Sequence, residues 1–319
     1  MTVRKRKMRK KRKVQVLLSA YNGEKYIRCQ IESILRQKDV QVMLLIRDDG
    51  STDGTAHILR WYEQKYANIS VRTGSRRGAS GSFFALLKIA DLSCDYYAFA
   101  DQDDVWHSEK LVRACSRLDR ECGDIPLLYA GKVICASADL KKRERFSYRI
   151  RRIPSFGNAL LENICMGCTQ VFNRSLLLLA RDHLPAKNVM HDWWMYLTAS
   201  YFGKTVYDSQ AYILYRQHGD NQVGMHNCWA ARWAGRLRRM GQVYRKLSVQ
   251  AEDFCRAYEV QDHRQEDGGQ PDDRDLLESV CTYRKCFANR LSLAGSRRIY
   301  RQNQLDDGIC RLLILAGWL

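Results

Sequence analysis

The first hundred residues alternate short apolar runs with segments in which apolar residues recur three or four positions apart. Four runs, at residues 14–18, 42–46, 69–71 and 96–100, predict β-strands. The intervening segments predict helices, since Ile27, Ile31 and Ile34, for example, fall on one helical face. Strands that alternate with helices are typical of an α/β fold with a mostly parallel central sheet and helices on its faces.

The pattern changes twice further along the chain. Residues 105–222 predict strands at 127–136 and 211–214 and a helix at about 192–201. Apolar residues then recur at helical spacing from Trp229 to Phe254 with arginines and lysines between them, which predicts a long basic amphipathic helix. We therefore predict a basic tail at 1–13, a domain at 14–224 that divides near residue 104, and a helical extension at 225–319.

Composition and charge narrow the class of protein. The chain has 319 residues, of which 28% are charged and 45% hydrophobic, which excludes a disordered, collagen-like or coiled-coil protein. The formal net charge is +18, but nine basic residues between Arg4 and Lys13 account for half of it. No apolar run reaches about 18 residues and no signal-peptide pattern follows the basic start, so we expect a reduced, cytoplasmic protein without a membrane-spanning helix.

Polar clusters follow three of the predicted strands. They contain Ser19 and Tyr21, Asp48 and Asp49, and Asp101 and Asp103. Ligands of open parallel sheets bind beyond the carboxyl ends of the strands, so we expect these clusters to share one site. The first turn has neither the glycine pattern of a dinucleotide site nor that of a P-loop, so we expect carboxylates to bind a nucleotide through a divalent cation.

Each of these motifs also has an ordinary structural interpretation. The D-x-D of Asp101 and Asp103 is by itself a common solvated turn. Asp192, before the predicted helix, is a typical N-cap residue. The C-x-x-C of Cys165 and Cys168 has no partner motif, and we interpret it as structural rather than as a zinc or redox site.

Taken in order, the motifs resemble a known family. Residues 19–23 read S-A-Y-N-G, residues 48–55 read D-D-G-S-T-D-G-T, and residues 101–106 read D-Q-D-D-V-W. The order continues through N-I-C-M-G-C-T at 163–169, H-D-W-W at 191–194 and Y-R-Q-H at 215–218. This set resembles the family 2 glycosyltransferases of the GT-A fold, and among them bacterial rhamnosyltransferases, over about residues 14–224. One departure is Ser82, where relatives usually carry Asn, which puts the nucleotide contacts of that loop in doubt.

The resemblance implies a GT-A catalytic domain whose nucleotide-sugar half is about 14–104 and whose acceptor half is about 105–224. The implied nucleotide-sugar contacts are Ser19, Tyr21, Asp48, Asp49, Asp101 and Arg216. Asp101, Asp103 and His218 would hold Mg²⁺ or Mn²⁺ against the diphosphate. Asp192 would be the general base, with the N-cap interpretation compatible with it. The expected activity is inverting transfer of a sugar, with rhamnose as the candidate, from a dTDP- or UDP-sugar to a cell-surface polysaccharide or lipid-linked glycan.

The basic segments of the chain suggest its partners and its location. The basic tail and the Trp229–Phe254 helix suggest attachment to an anionic membrane surface, with the protein peripheral on the inner face of the cell membrane. The rival interpretation is that this helix packs on the catalytic domain or on a second subunit, as in a homo-oligomer. We expect no nucleic acid partner, although the tail leaves a nucleic-acid-binding protein as the alternative from another class. A third possibility is an inactive relative that only binds a nucleotide sugar.

Overall fold

A nine-stranded mixed sheet forms the centre of the computed structural model, which describes residues 11–145, 150–187, 189–219, 245–259 and 271–318. The strands are β1 Arg12–Ala20, β2 Val40–Asp48, β3 Ile69–Thr73, β4 Tyr96–Ala100, β5 Val105–Trp106, β6 Leu127–Ala136, β7 Arg143–Arg145, β8 Val171–Asn173 and β9 Lys204–Arg216. Their order is β3-β2-β1-β4-β8-β6-β9-β5, with β7 paired to β6. The strand pattern of the first hundred residues is confirmed.

The sheet has a parallel half and a mixed half. β3, β2, β1 and β4 run parallel, so their carboxyl ends open at the same edge. β8 is antiparallel to both β4 and β6, and β9 returns parallel to β6. The antiparallel strands β5, β7 and β8 have only two or three residues each, too few for periodicity to mark them in the sequence.

Eleven helices occur in the described residues. They are α1 Ile27–Leu35, α2 Thr55–Lys65, α3 Gly78–Lys88, α4 Lys110–Leu118, α5 Phe156–Ala159, α6 Arg174–Asp182, α7 His191–Phe202, α8 Arg245–Ala257, α9 Pro271–Thr282, α10 Phe287–Gly295 and α11 Gln304–Ala316. A 3₁₀ turn at Gly167–Thr169 precedes β8.

Both faces of the parallel half are buried, which explains why its strands are continuous hydrophobic runs. Val16 and Leu18 of β1 belong to the hydrophobic cluster that includes residues of α1, α2 and α4. Leu17 belongs to the opposite cluster, with residues of α3, α6 and α7. Successive strand side chains point to opposite faces, so each strand supplies residues to both layers.

The helical extension packs on the second of these layers. Phe254 of α8 is fully buried, and its ring centroid lies 5.5 Å from those of Trp194 and Tyr201. The described part of the predicted basic helix therefore packs on the catalytic domain, as its rival interpretation supposed. Trp229, Trp233 and the rest of that helix up to residue 244 lie outside the described residues.

The start of the chain is partly described. Residues 1–10 of the predicted tail lie outside the described residues, whereas Arg12 and Lys13 form the first two positions of β1, earlier than predicted. Arg12 is paired with Asp119 at 3.0 Å and Lys13 with Asp91 at 3.0 Å. None of the described helices has the length and hydropathy that a membrane-spanning segment needs.

Candidate active site

A cleft of about 940 Å³ opens at the carboxyl ends of β1, β2 and β4. The start of α3, the start of α7 and the end of β9 complete its walls. Of the predicted site residues, the cleft is lined by Ser19, Tyr21, Asp49, Asp101, Asp103, Asp192 and His218. The structure thus brings together side chains that span 200 positions of the sequence.

Asp48 and Arg216 are the two predicted site residues that do not line the cleft. Oδ1 of Asp48 accepts hydrogen bonds from the backbone N–H and the hydroxyl of Ser51, at 3.0 and 2.6 Å. This buried carboxylate therefore holds the turn after β2. The contact with nucleotide that the resemblance implied for Asp48 stays a prediction.

Asp49 faces the cleft but is also tied to the protein. Its Oδ1 lies 2.8 Å from Nη2 of Arg47, and its Oδ2 accepts the backbone N–H groups of Arg77 and Gly78 at 2.9 and 2.8 Å. The carboxylate thereby fixes the first turn of α3. Ser82 of that helix bonds Ser19 through its hydroxyl, at 2.8 Å, where relatives were expected to carry Asn.

The backbone of the D-x-D loop is held from both sides. Nε2 of Gln30, fully buried on α1, donates to the carbonyl of Asp101 at 2.9 Å. Nε of Arg216, at the end of β9, donates to the carbonyl of Asp103 at 2.8 Å. Arg216 therefore holds this loop in position, and its expected contact with phosphate stays a prediction.

Gln102, between the two aspartates, joins the loops after β1 and β4. The backbone N–H of Tyr21 donates to its Oε1 at 2.8 Å, and its Nε2 donates to the carbonyl of Tyr21 at 2.9 Å. A Cβ at Gly23 would lie 2.3 Å from that Oε1, so a side chain there would displace the amide of Gln102 from these hydrogen bonds. Sequence reasoning missed Gln102 and Gln30, although a glutamine on the apolar face of α1 is a signal that could have been noticed.

The ring of His218 lies beside the D-x-D motif. Its Nε2 is 2.8 Å from Oδ2 of Asp103, and its ring centroid is 4.8 Å from that of Tyr26. The guanidinium of Arg216 lies 4.6 Å from the same tyrosine ring. Tyr26, which the sequence did not single out, therefore supports both residues from one side.

The carboxylates produce an excess of negative charge at this end of the cleft. Burial raises the pKa of Asp101 to about 7, and the charges of Asp103 and Asp192 add to the increase. The charge of Lys110 opposes this increase; Lys110 is buried with its Nζ 3.4 Å from the centre of the Trp106 ring. Burial in turn lowers the pKa of Lys110 to about 7.

Asp192 lies in the first turn of α7, one residue beyond its start, with Met190 at the N-cap. The N-cap interpretation of Asp192 is therefore wrong. Its Oδ1 accepts the backbone N–H of Trp193 at 2.8 Å, and its Oδ2 accepts that of Gly167 at 3.1 Å. Burial raises the pKa of Asp192 to about 6, and these hydrogen bonds oppose the increase.

His191 precedes Asp192 in the chain and is itself held between aromatic rings. Its ring stacks on Phe83 at 4.0 Å and meets the edge of Phe99 at 5.0 Å. Burial lowers its pKa to about 3, so the ring is neutral. A Cβ at Gly167 would lie 2.8 Å from Nε2 of His191 and 3.3 Å from Cβ of Asp192, so this turn requires glycine.

The C-x-x-C segment lies under the same loop. Cys165 and Cys168 are free, buried thiols, and burial holds the pKa of each well above its usual range. The sulfur of Cys168 lies within 4.8 Å of carboxylate oxygens of Asp101 and Asp104. Thiols in this state pack as small apolar groups and are poor nucleophiles.

The fold and the cleft together define a glycosyltransferase of the GT-A type. The chain belongs to glycosyl transferase family 2, whose sequence profile matches residues 15–178. It is 30% identical over 245 residues to the dTDP-rhamnosyl transferase RfbG of Shigella flexneri, covering 72% of this chain and 80% of that protein. The predicted family and its rhamnosyltransferase-like character are confirmed.

Other relatives extend the comparison. The chain is 30% identical over 166 residues to the UDP-Glc:α-D-GlcNAc-diphosphoundecaprenol β-1,3-glucosyltransferase WfgD of Escherichia coli, covering 51% of this chain and 61% of that one. Among solved structures, S. aureus TarS 1-349 in complex with UDP-GlcNAc has a TM-score of 0.57 at 18% identity, covering 94% of this chain and 79% of that one. The likeness to TarS shows the shared fold.

Proposed function

We propose that this glycosyltransferase is inverting and metal-dependent, and that it moves rhamnose from a dTDP-sugar to a glycan or lipid-linked glycan. One observation carries the proposal: the carboxylates of Asp101, Asp103 and Asp192 share one cleft, close enough for the last two to raise the pKa of the first. A cluster of acids is suited to a divalent cation, which can in turn bind a diphosphate. The rhamnosyl donor is proposed from the likeness to RfbG.

The donor set fits a hard divalent cation. Asp101 and Asp103 offer carboxylate oxygens, and His218 offers an imidazole nitrogen beside Asp103. Mg²⁺ and Mn²⁺ favour carboxylate oxygens and leave positions open for phosphate oxygens. Such an ion stabilises the charge on a nucleoside diphosphate leaving group. Gln30 and Arg216 hold the loop that presents these ligands, and so limit the reorganisation needed on binding.

The nucleotide is assigned to the wall of the cleft that Tyr21 and Arg76 form. Tyr21 lines the wall there with its ring 4.5 Å from the guanidinium of Arg76, which also lines the cleft. A planar aromatic ring suits stacking against a base, and an arginine suits a phosphate or a ribose hydroxyl. Ser19 and Asp49 complete this side. Asp48 is left out of the proposal because its carboxylate faces the turn.

Asp192 is proposed as the general base. Two backbone N–H groups fix its carboxylate while it still faces the cleft. With a pKa of about 6 it is ionised at neutral pH, yet more basic than an exposed aspartate. It would take the proton of an acceptor hydroxyl as that oxygen attacks the anomeric carbon. Attack opposite the diphosphate breaks the sugar–phosphate bond and inverts the carbon in a single displacement.

The acceptor and the location are proposed from the residues that line the cleft and from the likeness to WfgD. Asn163, Met166 and Trp193 line the cleft beside Asp192 and are the candidate acceptor contacts. WfgD is named for an acceptor on a diphosphoundecaprenol, and a lipid-linked acceptor here would place the protein on the inner face of the membrane. A homo-oligomer remains a proposal without a contact in this structure to support it.

Donor turnover tests the proposal. We would incubate the protein with a panel of dTDP-, UDP- and GDP-sugars and Mn²⁺, and measure release of the nucleoside diphosphate. We expect turnover of one donor, loss of at least about 100-fold in Asp192→Asn and Asp103→Ala, and no change in Asp139→Asn, an exposed acid outside the cleft. Equal turnover by all four proteins would refute the assignment, and binding of a donor without turnover would indicate an inactive relative.

A further inference from the structure

The solvent-facing sides of α10 and α11 carry no charged residue. On α10 the exposed positions are Phe287, Ala288, Leu291, Ser292 and Gly295. On α11, after Gln304, they are Leu305, Gly308, Leu312 and Ala316. These spacings place each set on one helical face. A surface helix normally shows charged and polar residues to water, so both helices have an apolar face where solvent should favour a polar one.

The two faces belong to one helix pair. Nη1 of Arg311, on α11, donates to the carbonyl of Ser296, just after α10, at 2.9 Å. At the other end, a Cβ at Gly317 would lie 2.8 Å from Cζ of Arg290, on α10. The helices therefore run antiparallel, and Trp318 follows at the end of α11 beside α10.

The large apolar side chains of this pair are strongly exposed. We call Phe287, Leu291, Leu305, Leu312 and Trp318 the α10–α11 surface; each is 58–66% exposed. Scattered exposed apolar residues are normal, but five within 32 consecutive residues are a concentration that marks a contact surface.

Basic residues flank the apolar side chains. Residues 284–318 contain seven arginines and lysines and two acids, Asp306 and Asp307. Three of the seven basic residues are paired with acids: Arg298 with Asp273 at 2.9 Å, Arg301 with Glu162 at 3.5 Å and Arg311 with Asp307 at 2.9 Å. Arg284 and Lys285 before α10, and Arg297 after it, are exposed. The composition is that of an interfacial element, in which apolar residues enter the lipid and cations meet the headgroups.

We propose that the α10–α11 surface docks on an anionic lipid bilayer. Charge favours this occupant over a second copy of the chain, because apposing two such surfaces would bring their cations together within a protein of formal net charge +18. The segment that the sequence suggested for this task supplies Phe254 to the protein core instead. The inference rests on the proposed function for its purpose, a lipid-linked acceptor, but lipid binding is measurable without sugar transfer.

Vesicle flotation tests it with the full chain. Vesicles of equal parts phosphatidylglycerol and phosphatidylcholine would be compared with pure phosphatidylcholine, at low salt and at roughly 0.5 M NaCl, where surface charges are largely screened. We expect the protein to bind the anionic vesicles, and part of this binding should remain at high salt. In the double variant Leu291→Glu, Leu312→Glu the affinity should fall at least tenfold and the salt-resistant part should vanish.

Controls separate the surface from net charge and from folding. Ile89→Glu with Leu178→Glu makes the same charge change at exposed apolar residues elsewhere and should bind like the parent. A neutral pair, Leu291→Gln with Leu312→Gln, should lose several-fold in affinity for the vesicles, because it removes apolar surface without adding charge repulsion. Unchanged thermal unfolding and unchanged nucleotide binding would show that every variant is folded.

Three results would overturn the inference. The first is a parent protein that does not float, and the second is a Leu291→Glu, Leu312→Glu variant that floats as well as the control pair. The third is a parent that sediments as a dimer and a variant that sediments as a monomer, since a second copy would then cover the surface. If the parent protein floats with the anionic vesicles but transfers no sugar, that result would count against the proposed function and not against lipid docking.

Discussion

Nε2 of His218 lies 2.8 Å from Oδ2 of Asp103, so a residue that follows β9 reaches the loop that follows β4. The two residues are 115 positions apart in the sequence. Their contact places the imidazole of His218 next to one of the proposed metal-binding carboxylates.

Replacement of His218 should weaken metal binding. His218→Gln keeps a polar group but removes the imidazole nitrogen, so the Mn²⁺ concentration for half-maximal donor turnover should rise by about 10- to 100-fold. A titration of turnover against Mn²⁺ measures it. His57→Gln, at an exposed position on α2, is the control and should match the parent. An unchanged titration in His218→Gln would remove this residue from the metal site.

The pH profile of transfer should follow Asp192. A base acts only when ionised, and burial raises the pKa of Asp192 to about 6, so the rate should be constant above that pH. Below it, the rate should fall tenfold for each pH unit as the carboxylate takes up a proton. Initial rates from pH 5 to 8 at saturating donor and Mn²⁺ measure the profile. A rate that stays level down to pH 5 would argue for a different base.

Gly167→Ala should reduce both stability and turnover. The added Cβ would meet the ring of His191, which cannot move away because Phe83 and Phe99 hold it. We expect a loss of about 1–3 kcal/mol in the free energy of unfolding and a lower kcat through the displaced Asp192. Denaturant unfolding and kinetics measure the two effects.

Gly308→Ala is the matched control for that substitution. No atom lies within 4 Å of a Cβ at Gly308, an exposed position inside α11. Alanine there should raise the free energy of unfolding by about 0.5–1 kcal/mol, because glycine is a poor helix former, and should leave kcat unchanged. Similar effects of the two substitutions would mean that the turn at Gly167 is not tightly packed.

Asp101 should make the metal-free protein less stable at pH 8 than at pH 5.5. The folded-state pKa of Asp101 is about 7, well above that of an aspartate in an unfolded chain, so the folded state holds a proton that the unfolded state has released. The contribution of Asp101 to the free energy of unfolding therefore falls as pH rises from about 4 to 7, by up to about 1.4 kcal/mol per unit. Denaturant unfolding in EDTA measures it, and Asp101→Asn should flatten the slope.

Mn²⁺ should reverse this loss. A cation bound to the folded state stabilises it by mass action and removes the repulsion among the cleft carboxylates. The gain should be larger at pH 8 than at pH 5.5, where protons compete for the same oxygens. Equal stabilisation at both pH values would indicate a metal site elsewhere.

The parallel half of the sheet and the acids at its edge can be predicted from the amino-acid sequence alone. Buried parallel strands must be apolar throughout, so their runs are visible, and the edge where they end follows from the connectivity of parallel strands. Asp49, Asp101 and Asp103 could therefore be predicted to meet. The order of the motifs along the chain is also enough to indicate the family.

What each polar side chain does depends on the folded chain. Asp48 and Asp49 are adjacent in the sequence, yet one holds the turn after β2 and the other faces the cleft, because their carboxylates bond different partners, Ser51 and the start of α3. Gln102 and Arg216 became positioning residues through partners 81 and 113 positions away. The exposure of the apolar faces of α10 and α11 likewise depends on tertiary packing, because packing buries the opposite face of each helix. The burial of a side chain and its contacts with distant residues depend on how the whole chain packs, so the local sequence pattern does not specify them.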